Sequence, residues 1–497
     1  MPPIIPLPIS NAMRILTVCC LIALLGGPWA FAQQPVDPEL PDLDSGHPDA
    51  SLTVLVGGQL IDVTTGAAQP HEATLISNGR LLRVNDDVDA IDDAVMEEAY
   101  VVELESDQYV LPGIVDLHAH YNMDLVGHGR VEEVVYNPLA YLANGATTTF
   151  TGGEYDPEVM EAARNRINRG EQLGPRILAA GPYIGRSNPD WDSDYTADDI
   201  HALVDEWAER GVAGFKAKGA SPEHLEPAIE RAHQHGLTVT GHLDSGWRGS
   251  TNSKDAIRMG VDRVEHILGG HVLDREEAAY PVWNDVDTTS ADFQDIVQMF
   301  LDHRVHFSAT MTAPVYFAGT EGVQGFDDWA DEQSFFTPYV QEVWAERKDE
   351  ATGSDLMESL YAAMQRSTKA FYDAGGGDLI VLGTDKPAWG DFLPGYAVHR
   401  EMHAMVMAGI PEASVLRIAT KNGAEAIGMG DRLGTLEPGR LADLFVVSGN
   451  PLDDITNTRN VQLVMKDGRL YDPEALLAPA RGAIGPEGPD DHENWTR

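Results

Sequence analysis

Between residues 111 and 385 the chain repeats one pattern: a short apolar run, a turn rich in Gly or Asp, then an amphipathic stretch. Eight apolar runs read as strands: 114–117, 147–151, 176–180, 214–218, 237–242, 263–267, 305–310 and 379–383. Helical segments separate them, and the clearest covers 221–235. Ser221 fits an N-cap, and Pro222 fits the first helical position. Leu225, Ile229 and Ala232 recur at helical spacing, and Gly236 closes the helix as its C′ residue. Eight β/α units in roughly 320 residues predict a (β/α)₈ TIM barrel, an architecture of ~250 residues before insertions. A doubly wound open sheet is the alternative, and no Gly-rich dinucleotide fingerprint supports it.

The flanks have a different pattern. Runs at 52–56, 73–76, 81–84 and 100–104 are broken by Gly, Asn and Asp clusters and read as a small antiparallel sheet. Runs at 443–447 and 461–466 have the same character, with a turn at Asp467-Gly468. The two sets predict one composite β-sandwich domain built from 51–111 and 433–472, with the barrel, residues 112–432, inserted between them. The tail from 473 is rich in Pro, Gly and Asp and reads as loose, with packing of 473–477 as an option.

Residues 1–32 read as a signal peptide, and 33–50 as a Pro- and Asp-rich linker. Arg14 supplies the charge, 15–25 the apolar stretch, and Ala30-Phe31-Ala32 the cleavage site before Gln33. The apolar stretch is too short to span a bilayer comfortably. Met13 is a candidate start beside Met1, and a lipid anchor at Cys19 or Cys20 is disfavoured by Val18. The expectation is therefore an exported protein, periplasmic or secreted, with no stable membrane insertion after cleavage. Both cysteines lie in the leader, so the mature chain has no disulfide, thiolate metal site or cysteine nucleophile. Seventy-nine acidic residues against 34 basic ones give a net charge of −45, spread along the chain. That argues against nucleic acid or an anionic membrane surface as a partner. A small-molecule or short-peptide substrate is expected, and a homo-oligomer is left open.

Side chains at the C-terminal ends of barrel strands converge on one site. The first run ends in His118 and His120, which point the same way along a strand. The fourth carries Lys216 and Lys218, the fifth ends Thr240-Gly241-His242, the sixth carries Glu265-His266, and the eighth ends Gly383-Thr384-Asp385. Four histidines, a lysine and an aspartate at the ends of five strands form a metal-ligand constellation. Tyr121, His271 and Arg186 are candidate substrate contacts because they sit on strand-end loops, and Trp191 joins Arg186 as a candidate pocket residue. His303 and His306 read as structural. The long acidic, aromatic segment 317–355 is a candidate lid. Gly439-Arg440-Leu441-Ala442-Asp443 reads as a turn and strand re-entering the β-domain.

These motifs resemble the amidohydrolase superfamily of metal-dependent hydrolases, in particular its secreted imidazolonepropionase-like and prolidase-like members. The matching stretches are LPGIVDLHAH (111–120), GATTTFTGG (145–153), GPRILAAGP (174–182), 214–242, VDRVEHI (261–267), VLGTD (381–385) and 415–447. The resemblance implies two divalent metals, usually zinc, with manganese or iron as options, bridged by a carboxylated lysine. Carried over by position, His118, His120 and Asp385 hold the first metal, and His242 and His266 the second. Strand parity does not choose between Lys216 and Lys218; the resemblance favours Lys216, which follows the bulky Phe215. It also implies a metal-bridging hydroxide as nucleophile, with Asp385 moving the proton. The reaction class implied is hydrolysis of amide C–N bonds in dipeptides, N-acyl amino acids or cyclic amides. An esterase or lactonase, an imidazolonepropionase- or deaminase-like hydrolase acting on a ring, and a non-catalytic scaffold relative are the alternatives.

Overall fold

The computed structural model describes residues 40–41, 45–125, 130–154, 156–269, 278–279, 283–314, 331–351, 355–387 and 393–491. The leader, most of the linker before Ser45, His271 and residues 317–330 of the candidate lid lie outside the described residues.

Five strands open the chain: β1 (Leu52–Asp62), β2 (Ala67–Pro70), β3 (Ala73–Ser77), β4 (Arg80–Asp86) and β5 (Tyr100–Pro112). Then come β6 (Ile114–Ala119), a short antiparallel hairpin of β7 (Asn122–Asp124) and β8 (Arg130–Glu132), β9 (Ala146–Thr151) and β10 (Arg176–Leu178). Next are β11 (Gly214–Lys218), β12 (Thr238–His242), β13 (Arg263–Glu265), β14 (His306–Ser308) and β15 (Ile380–Val381). The chain closes with β16 (Leu444–Ser448), β17 (Val461–Lys466) and β18 (Arg469–Tyr471).

All eight predicted barrel strands are present, as β6 and β9 to β15. They form a three-stranded parallel sheet, β10-β9-β6, and a five-stranded parallel sheet, β11 to β15 in sequence order. A parallel bridge, Ala180 to Gly214, links β10 to β11. At the other edges a bridge from Ala119 to Lys386 and a bond from Leu117 N–H to the Leu382 carbonyl link β6 to β15. Helices alternate with the strands, including Ala197–Glu209, Pro222–Gln234 and Ala291–His303.

Alternation along the five-stranded sheet sorts the side chains. Phe215, Val239, Val264, Phe307 and Ile380 occupy one face and pack with helix residues such as Leu225, Ile229, Phe300 and Phe371. Lys216, Lys218, Thr240, His242, Arg263 and Glu265 take the other face. Burying that many ionisable groups is costly unless they are paired or hold a ligand, and this face carries the candidate site.

The two chain ends meet in one sheet, as predicted. β16 pairs with β5 in the register Leu444–Pro112 to Ser448–Gln108, giving the strand order β18-β17-β16-β5-β1-β3-β4 with β2 on β1. The hydrogen-bond ladders join the eight strands into one mixed sheet, and Leu55, Ile76 and Leu81 from one end of the order share a buried core with Leu444, Val446, Leu463 and Met465 from the other; a register shift in β1 between Gly57 and Gln59 keeps its pairing with β5 continuous on either side. Arg176 ties this sheet to the barrel. Its guanidinium donates to Asp443 Oδ2 at 2.5 Å and also pairs with Asp467. Arg440 donates to the Leu433 carbonyl at 2.8 Å, and Arg440 N–H bonds the Glu437 carbonyl, so the 439–443 motif acts as a turn and strand entry.

The tail is packed where a loose segment was expected. Pro473–Leu477 is helical, Leu476 and Ile484 are buried, and Thr337 N–H bonds the Ile484 carbonyl. That contact also fixes the described start of the candidate lid. There Glu332 accepts from Leu393 N–H at 2.9 Å and pairs with Arg400, so 332–337 is anchored between tail and barrel.

Candidate metal centre

The ends of β6, β11, β12 and β13 and the turn after β15 bring the six predicted ligands together. One nitrogen each of His118 and His266 and one oxygen of Asp385 lie within 4.8 Å of one another. Asp385 Oδ1 is 3.0 Å from His120 Nε2 and 3.2 Å from His118 Nε2, and Oδ2 is 3.8 Å from His266 Nδ1. His242 stacks edge-on against His266 with ring centroids 4.3 Å apart. His118 thus sits between His120 and His266, with centroid separations of 5.3 and 5.0 Å. This group joins His118 and His266, which were expected on different metals.

Local backbone builds this convergence. His266, Thr310 and Asp385 adopt positive φ values of 68, 47 and 54°, each turning the chain at a strand end. Such conformations cost side-chain-bearing residues energy and cluster at functional sites. Gly152 lets β9 approach the pair: a Cβ there would lie 2.6 Å from His118 Nε2 and 2.9 Å from His120 Nε2.

The electrostatics suit a cation. Burial drives the imidazoles of His118, His242 and His266 well below the ordinary histidine pKa and lowers His120 as well, which leaves neutral nitrogens with lone pairs. Burial pushes the Asp385 carboxyl up, but His118, His120 and His266 outweigh it and hold the group well below the carboxylate range. Burial also takes the Lys216 amine well below its usual pKa. Neutral imidazoles and an ionised carboxylate are the donor set a divalent metal takes. Lys216 is fully buried, with Nζ against Glu265 Oε2, whereas Lys218 is half-buried at the open end of β11.

The substrate candidates fare differently. Tyr121 is buried, with its hydroxyl 2.8 Å from Thr149 Oγ1 and its ring against Tyr141. Arg186 is exposed and donates to the Arg248 carbonyl at 3.0 Å. Trp191 packs on Tyr195 and His224, on the helix after β11. His303 ends a helix and His306 opens β14, at the strand end opposite the ligands.

Sequence reasoning missed the residues that hold the ligands. Thr310 Oγ1 lies 2.6 Å from His266 Nδ1. Glu265 Oε1 lies 3.3 Å from His118 Nδ1 and accepts from Thr240 Oγ1 at 2.7 Å. Asp116 accepts from His118 N–H at 2.9 Å and from Thr384 Oγ1 at 2.8 Å, and burial raises its pKa to about 6. Asp116 had a signal: it continues the period-two row Asp116, His118, His120.

A family model described as the amidohydrolase family matches residues 109–471, and the chain belongs to that family. Among curated proteins, an adenine deaminase of Moorella thermoacetica is 25% identical over 264 residues, covering 48% of this chain and 40% of that protein. A dihydropyrimidinase of Rattus norvegicus is 24% identical over 236 residues, covering 42% and 43%. The chain thus spans less than half the length of these curated relatives. Among solved structures, a Xaa-Pro dipeptidase with methionine in its active site superposes with TM-score 0.62 at 22% identity, covering 85% of this chain and all of that one. Phenylurea hydrolase B gives TM-score 0.62 at 21% identity, covering 88% and 100%. At these identities the structures establish a TIM-barrel-like α/β fold.

Proposed function

We propose that this protein is a metal-dependent hydrolase of C–N bonds, acting on amides in dipeptides, N-acyl amino acids or cyclic amides. The observation that carries this reading is the convergence of His118, His120, His242, His266, Asp385 and the buried Lys216 at the strand ends. The edge bonds between the two parallel sheets support a closed (β/α)₈ barrel around them.

His118, His120, His242, His266 and Asp385 would hold divalent metal, two ions with zinc as first choice, and Lys216 would bridge them as a carbamate. The carbamate would form when the neutral amine adds to CO2 and loses a proton, and burial favours the neutral form of Lys216. Glu265, against Nζ, is the neighbour that the carbamate has to accommodate. Bound metal lowers the pKa of a coordinated water to about 7 and polarises a carbonyl. Asp385 keeps 15% of its side chain exposed, so its carboxylate reaches the open end of the site. There it takes the proton from the attacking water and delivers it to the leaving nitrogen. The deaminase relative supports a second reading, hydrolysis at a ring carbon, by the same groups.

Metal analysis of wild type and Lys216→Ala, with a panel of dipeptides, N-acyl amino acids, lactones and cyclic ureas, tests the proposal. Two metals per chain and amide hydrolysis are expected for wild type, with both lost or sharply reduced in the variant. A variant that keeps two metals and full activity removes the lysine bridge; turnover of lactones alone reassigns the reaction. We also propose export with removal of residues 1–32, which N-terminal sequencing of the mature protein checks at Gln33.

A further inference from the structure

We propose that Lys218, supported by Arg186, is a carboxylate anchor that selects substrates bearing a free carboxylate near the bond to be cut. The proposal rests on the amide-hydrolase reading and names its substrate class: N-acyl amino acids and dipeptides with an open C-terminus, in preference to their capped or cyclic counterparts.

Lys218 is the last residue of β11, shares a strand face with Lys216, and stands in register beside His242. It is half-buried, as His242 is, so the two mark the open side of the site.

The surroundings reinforce this cation. The loop after β10 runs along β11, with Lys218 N–H bonded to the Ile184 carbonyl at 3.0 Å. That pairing lays Arg186 over Gly219, where a Cβ would come 3.2 Å from Arg186 Nε. The Arg186 guanidinium in turn donates to the Arg248 carbonyl. Among the described residues no carboxylate lies within ion-pair distance of Lys218, Arg186 or Arg248. In a chain with more than two acids per base, a cation at the end of β11 and two on adjoining loops, with no acidic partner among the described residues, are unusual. An ammonium beside ligands for divalent cations is also electrostatically unfavourable by itself. A substrate carboxylate lying between Lys218 and Arg186 removes that penalty and fixes the amide relative to Asp385. A lysine on the opposite face of β11 would instead point away from His242.

Kinetics on matched pairs test this, with N-acetyl amino acids and dipeptides each compared with the C-terminal amide. Metal-loaded wild type is expected to favour the free acid by about 10–100-fold in kcat/KM, the worth of one or two charge-assisted hydrogen bonds. In Lys218→Met the acid-over-amide ratio falls toward one, mainly through KM, with metal content unchanged; Lys218→Arg restores part of it, and Arg186→Met gives a smaller loss. Equal turnover of acid and amide by wild type overturns the anchor while leaving the hydrolase reading intact. Loss of metal in Lys218→Met also overturns it, by moving Lys218 into the ligand set. If no amide of either kind is cut, the hydrolase reading fails, and calorimetric titration with N-acetylglycine decides the anchor. Weaker binding to Lys218→Met upholds the anchor, and equal binding rejects it.

Discussion

Thr310 has no role in any motif, yet its Oγ1 holds His266 Nδ1 at 2.6 Å. The bond fixes the ring's orientation and leaves Nε2 as its outward donor. Partners of this kind typically account for 10–100-fold in metal affinity. Thr310→Val keeps the shape and removes the bond, so its metal affinity is expected to fall by about that factor, read by chelator competition. The ligand histidines themselves were legible because each ends an apolar run. Thr310 was not, because its meeting with His266 depends on the β13–β14 register across 44 positions of sequence. Glu265 sits next to a ligand in the chain, but its contact with Lys216 follows only from how far β11 and β13 turn their side chains inward.

Helix Tyr396–Met407 reaches the site through one buried side chain. Glu401 accepts from Met311 N–H at 2.8 Å and Thr312 N–H at 2.9 Å, and so clamps the turn that carries Thr310. Burial outweighs these bonds and raises the Glu401 pKa from 4.5 to about 7. A carboxyl whose folded pKa exceeds its unfolded value stabilises the fold most below pH 4.5, and that contribution is lost as pH rises through 7. Wild type is therefore expected to lose about 3 kcal/mol more than Glu401→Gln between pH 4.5 and 8. Urea midpoints at the two pH values measure the difference. At the level of elements, apolar runs located all eight barrel strands. The strands that escaped, β2, the β7–β8 hairpin and β18, are three or four residues long. β2 is exposed throughout, so no hydrophobic period marks it.

Across the whole molecule, Arg176 joins the barrel to the sheet made by the chain ends. Asp443 is buried and takes its charge partner from Arg176, which sits at the start of a barrel strand. Removing one member of a buried ion pair leaves the other uncompensated, at a cost of about 3–5 kcal/mol. Arg176→Met is expected to lower stability by about that amount, seen as a drop in the urea midpoint, while the metal ligands remain in place. The bipartite sheet itself was legible from its two flanking sets of short runs. The order of its strands was not, because strand pattern alone does not say which strands pair.

The pairing of β5 with β16 also sets an order of events. Residues 108–112 are made early and their hydrogen-bonding neighbours, residues 444–448, come near the end. Throughout the synthesis of everything between, the growing chain carries this end of β5, with its apolar Val110 and Leu111, as an open backbone edge, which is the kind of surface that recruits a second copy or a chaperone. A polypeptide stopped anywhere before residue 444 keeps that edge for good, whatever the state of its barrel.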